Sequence, residues 1–182
     1  MPRYVALFRG INVGKAKRIA MADLRKLLEK LGYTDVKTLL NSGNAVFTGG
    51  SGTPEGHAKR IHAAVAKQLG VDARVIVKSA ADVAGIMAGN KLEKIASDPS
   101  RLLVAVTDEP RVLAGIKALA GKAWGAEQVH LGKHAVYVWC ADGILESRAL
   151  GAVLKGLEGG GTTRNWATLG KIHELLRETG GS

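Results

Sequence analysis

Three short stretches of this chain carry side chains suited to holding an anion. The first is Arg9-Gly10-Ile11-Asn12-Val13-Gly14-Lys15, which follows the apolar run Tyr4 to Phe8 and precedes an amphipathic helix. A strand that exits into a loop of Gly, Asn and Arg brings backbone N–H groups and a cation together. The second stretch is Asn41-Ser42-Gly43-Asn44. The third is Thr162-Thr163-Arg164-Asn165-Trp166, where either threonine suits a helix N-cap and the guanidinium offers a planar fork of donors. The candidate contacts are therefore Arg9, Asn12, Asn41, Asn44, Arg164 and Asn165. The ligand they suit is small and anionic, phosphorylated compounds included.

Each stretch also has a structural reading. Arg9 and Asn12 could satisfy backbone carbonyls of a long connector, and Asn41 and Asn44 flank a tight turn that favours Asn and Gly for backbone reasons. Trp166 lies on the apolar stripe of the last helix, whereas Arg164 and Asn165 fall off it. No residue presents itself as a general base, so the sequence assigns no reaction.

Other chemistries find less support. Gly10 to Lys15 has one residue too few between its glycines for a P-loop, and no Ser or Thr follows the lysine. His57 and His62 stand five apart, the wrong spacing to share a metal on a helix. His130 and His134 flank a hairpin turn, and His173 is on the last helix. No metal or cofactor is expected. Cys140, the single cysteine, sits in an apolar strand beside Trp139 and reads as a buried thiol.

The elements that must position the three stretches follow from periodicity. A first strand at 3–9 is apolar on both faces, as a covered central strand would be. A helix spans 21–31, and strands at 35–41 and 44–48 are joined by Ser42-Gly43. Thr53-Pro54 opens a helix to about Leu69, and a fourth strand covers 73–78. Ser79 to Asp82 has capping-box logic for a helix reaching about 89. Residues 90–100 read as a connector. The second half offers a strand at 101–107, a helix after Pro110, strands near 127–131 and 135–140, and a helix capped by Ser147. After glycines 159–161 a final helix is expected from about Thr163 to Thr179.

The order βαββαβ is the ferredoxin-like pattern. The expected fold is α+β: two ferredoxin-like halves packed together as one compact unit. One half is residues 1–90, and the other is 91–182, ending in a helix in place of its last strand. In such an order the loop after the first strand and the hairpin between the second and third reach the same sheet edge. Arg9–Lys15 and Asn41–Asn44 should then be neighbours; connectivity does not place the third stretch.

The net charge is +10. Residues 1–78 hold 14 Lys/Arg and 5 Asp/Glu, so nearly all the excess lies in the first half. An anionic partner for that half is one reading and solubility another. Nucleic acid is the alternative partner, through backbone contacts rather than an open sheet face, because the RNP-type pattern is absent. No apolar run approaches the ~20 residues of a membrane span. A cytoplasmic location and no membrane partner are the expectations.

Three motifs carry a family resemblance: YVALFRGINVGK at the start, MADLRKLLEKLGYTDVKTLLNSGNAVF after it, and TTRNWATLGKIHEL near the end. The chain resembles the bacterial family of domain of unknown function 1697 over essentially its whole length. The resemblance implies an α+β fold of two ferredoxin-like halves and no assigned activity. Lys15 stands where that family often has a second glycine.

Overall fold

A computed structural model describes residues 1–41 and 43–178. It has a mixed α+β architecture with two four-stranded antiparallel sheets and, among the described residues, six α-helices. The chain divides into two compact units. Unit 1 is Met1–Val83 together with the segment from Ile172, and unit 2 is Ala84–Lys171.

In unit 1, β1 (Arg3–Phe8) leads to α1 (Met21–Lys30), β2 (Thr34–Leu39), β3 (Asn44–Thr48), α2 (Pro54–Leu69) and β4 (Val75–Ser79). The strand order is β2-β3-β1-β4. The central position of β1 follows from its composition: Tyr4 to Phe8 are each at most 4% exposed, so both faces are covered. Tyr4, Ala6 and Phe8 meet Leu24, Leu27 and Leu28 of α1 and Ile61 and Val65 of α2 in one apolar core. Thr53 caps α2 by accepting from the Gly56 N–H at 3.0 Å, with Pro54 in the first turn. Ser42, half of the expected turn between β2 and β3, lies outside the described residues.

The Ser79–Asp82 capping box forms at the start of α3 (Ala80–Ala88). The Ser79 N–H donates to Asp82 Oδ2 at 2.9 Å, and the Asp82 N–H donates to Ser79 Oγ at 3.1 Å.

Unit 2 continues with β5 (Leu102–Thr107), α4 (Pro110–Ala120), β6 (Gln128–Leu131), β7 (Val136–Trp139), α5 (Arg148–Leu157) and β8 (Gly161–Asn165). Its strand order is β6-β7-β5-β8. Leu103, Ala105, Val136 and Val138 of the sheet pack on Ile116, Leu150, Val153 and Leu157. Cys140 is buried in this core, and burial pushes its thiol pKa up.

One expectation is corrected. Residues 161–165 are not the start of the last helix but a fourth strand, so no helix replaces it. Val104 pairs with Arg164 and Val106 with Thr162 along β5. Thr162 and Thr163 act as β-branched strand residues rather than caps. The helix α6 (Trp166–Arg177) begins after them, and its cap is Asn165, whose Oδ1 accepts from the Thr168 N–H at 2.8 Å.

Candidate functional site

The loop between β1 and α1 and the turn between β2 and β3 meet at one end of the first sheet. The Phe8 N–H donates to the Gly43 carbonyl at 2.9 Å. A Cβ added to Gly43, whose φ is +89°, would stand 2.6 Å from Ile11 Cδ1, so only glycine lets the turn close on the loop.

Asn12 holds the contact. Its φ is +56°, a left-handed conformation that Asn tolerates better than most residues. Its Nδ2 donates to the carbonyls of Ile19 and Asn41, both at 2.8 Å, and its Oδ1 accepts from the Ile19 N–H at 2.8 Å. Arg18 Nη1 donates to the carbonyls of Asn12 and Gly14, each at 3.2 Å. The loop is therefore closed on itself and pinned to the hairpin.

Beside this clamp lies a depression of about 330 Å³ lined by Asn12, Arg18, Ile19, Ala20 and Asn41. It opens at the start of α1, where Ala20 occupies the N-cap position and makes no side-chain cap. The first N–H groups of α1 thus lack the usual side-chain acceptor, and the helix dipole adds partial positive charge there. Residues 9–20 and 40–44 contain Arg9, Lys15, Lys17 and Arg18 and no carboxylate. The first-turn acid, Asp23, lines a separate depression with Lys26, Lys30 and Gln68.

The six sequence candidates separate as follows. Asn12 and Asn41 line the depression. Arg9 is half-buried at the base of the loop, and its backbone N–H donates to the Arg74 carbonyl at 2.9 Å. Asn44 is fully buried in β3, and its Nδ2 donates to the Leu39 carbonyl at 2.8 Å. Arg164 and Asn165 belong to unit 2. The Arg164 side chain is buried in β8, where Nη1 donates to Thr162 Oγ1 and to the Thr163 carbonyl, both at 2.8 Å. Burial lowers its pKa to about 10. Sequence reasoning missed Arg18 and Ala20; the signal was a cation and a non-capping residue just before the helix.

A second polar cluster lies deeper in unit 1. His57 is 6% exposed among the rings of Tyr4, Tyr33 and Phe47. Tyr33 Oη lies 2.8 Å from His57 Nδ1, and Arg60 stacks over the Tyr33 ring. Burial, then the Arg60 charge, lower the His57 pKa. Tyr4, Phe8 and Phe47 are all buried, so this sheet face offers no aromatic platform for bases. Among the described residues no three His, Cys, Asp or Glu side chains gather as a metal site.

No curated protein matches the chain. Among solved structures, the conserved bacterial protein SP0830 from Streptococcus pneumoniae is similar with a TM-score of 0.79. The match covers 97% of this chain and 99% of that one at 24% identity, a likeness of fold. A family model described as protein of unknown function (DUF1697) matches residues 1–137. With three quarters of its length matched, the chain belongs to that family of proteins of unknown function.

Proposed function

We propose that this protein is a cytoplasmic bacterial binder of small anions, phosphorylated compounds foremost, built from two ferredoxin-like units. The site is the depression at the start of α1. Arg18, the Asn41 side chain and the uncapped N–H groups contact the ligand, Arg9 adds charge beside it, and Asn12 and Asn44 hold the loop and hairpin in place. The observation that carries this reading is a loop that holds Arg9, Lys15, Lys17 and Arg18 and no carboxylate and leads into a helix start without a side-chain cap. The chemistry that this arrangement supports is binding, through electrostatics and hydrogen bonds to an anion.

The test is thermal melting of wild type and Asn41→Asp with inorganic phosphate and a panel of phosphate monoesters. Asn41 is exposed and holds Asn12 through its backbone carbonyl, so the substitution leaves the fold intact while placing an anion in the site. Saturable stabilisation of wild type, lost in Asn41→Asp, is the expected result. No stabilisation of wild type by any compound would overturn the reading.

Nucleic-acid binding through the basic first half is the second reading, supported by the charge excess in residues 1–78. It predicts steep salt dependence and little length selectivity.

A further inference from the structure

The loop end of unit 1 carries apolar side chains that the anion site does not use. Val13 is 71% exposed and Leu40 is 51% exposed. The Asn12–Asn41 bond joins the residue next to Val13 to the residue next to Leu40, so both stand at this same end. Leu40 also has φ +59°, a left-handed conformation that a leucine rarely adopts. Asn or Gly would suit the position better on both counts. An exposed leucine in a left-handed turn, pinned to a loop that exposes Val13, Lys15, Lys17 and Arg18, combines two costs to folding in one place.

We propose that this end docks on the surface of an anionic lipid bilayer, a partner that rests on the anion-binding reading and names the source of the anion. Val13 and Leu40 enter the headgroup boundary while Lys15, Lys17 and Arg18 face lipid phosphates. Lying on a membrane needs no spanning segment, so the absence of a helix long and apolar enough to cross one among the described residues is no obstacle. The charge of the patch selects an anionic surface over a neutral one. Nucleic acid fits less well, because single strands are held by exposed aromatics, and Tyr4, Phe8, Tyr33 and Phe47 are buried.

The experiment is sedimentation of the full chain with phosphatidylcholine vesicles, with and without phosphatidylglycerol, using wild type, Val13→Ser/Leu40→Asn and Lys15→Ala/Lys17→Ala. Binding to anionic vesicles alone is expected. The lysine pair should weaken it on the order of fivefold per charge removed. The apolar pair should weaken it as well, yet melt no lower than wild type, because Asn accepts the left-handed turn. That opposition of signs separates docking from a folding defect. Vesicle binding unaffected by Val13→Ser/Leu40→Asn would overturn the proposal, as would tighter binding to an oligonucleotide than to anionic vesicles. Stabilisation by soluble phosphate without vesicle binding would overturn it while leaving the anion site standing.

Discussion

Asn12 shows how much one side chain fixes at this site. Two of its side-chain hydrogen bonds close the loop on Ile19 and a third ties it to the hairpin at Asn41, while its backbone is left-handed. Asn12→Ala should destabilise the protein by roughly 1–3 kcal/mol, measured by chemical denaturation. Asn12→Gly should cost less, because glycine keeps the backbone conformation. Equal stability of Asn12→Ala and wild type would deny the clamp. His57 supplies a pH dependence whose sign can be worked out. Its folded pKa is lowered, so below the ordinary value near 6.5 the unfolded chain binds more protons than the folded one. Stability is full above that value and falls as pH drops toward the folded pKa. Melting temperature should therefore decline more steeply between about pH 7 and 5 in wild type than in His57→Gln, which cannot titrate. Parallel slopes would refute the assignment. At this scale the sequence was partly legible. The meeting of Asn12 with the Asn41 turn follows from connectivity. Arg164 was misplaced because a guanidinium buried in a strand looks, in one dimension, like one exposed at a helix start.

Among the elements, β8 is the instructive one. Gly161-Thr162-Thr163-Arg164-Asn165 has no apolar alternation, so it gave no strand signal of the usual kind. The β-branched pair Thr162-Thr163 was the available clue, outweighed by the habit of threonines before a helix. Gly161 tests the pairing. A Cβ there would stand 2.7 Å from the Val106 carbonyl and 3.1 Å from Leu157. Gly161→Ala should therefore destabilise by roughly 1–3 kcal/mol in thermal or chemical denaturation. Gly151, inside α5, meets nothing within 4 Å, and Gly151→Ala should stabilise by about 0.5–1 kcal/mol. The strands with continuous apolar runs, β1, β5 and β7, were legible because burial on both faces demands such runs.

At the scale of the whole molecule, the two units repeat one strand order: β2-β3-β1-β4 and β6-β7-β5-β8. The central place of β1 was readable from its apolar run, whereas the fourth strand of the second unit was not. The discontinuity of unit 1 left no mark in the composition, because the division falls inside the continuous helix α6. The C-terminal segment is nonetheless bound into unit 1. Arg3 Nη2 donates to the Leu175 carbonyl at 3.0 Å, and Lys37 pairs with Glu178 at 2.6 Å. Ending the chain after Lys171 should speed amide exchange in β1 and lower the melting temperature. Unchanged protection of β1 would show that unit 1 is complete without that segment.

The same discontinuity sets an order of events during synthesis. Unit 2 is contiguous, so all its residues exist while unit 1 still waits for Ile172 and beyond. At about 5–20 residues per second, the intervening stretch takes the ribosome roughly 4–18 s to make. For that interval the four strands made first are without their C-terminal partner. Of the two units, the one whose strands are made first is the second to be completed, and its apolar β1 is the stretch that a chaperone would guard in the meantime.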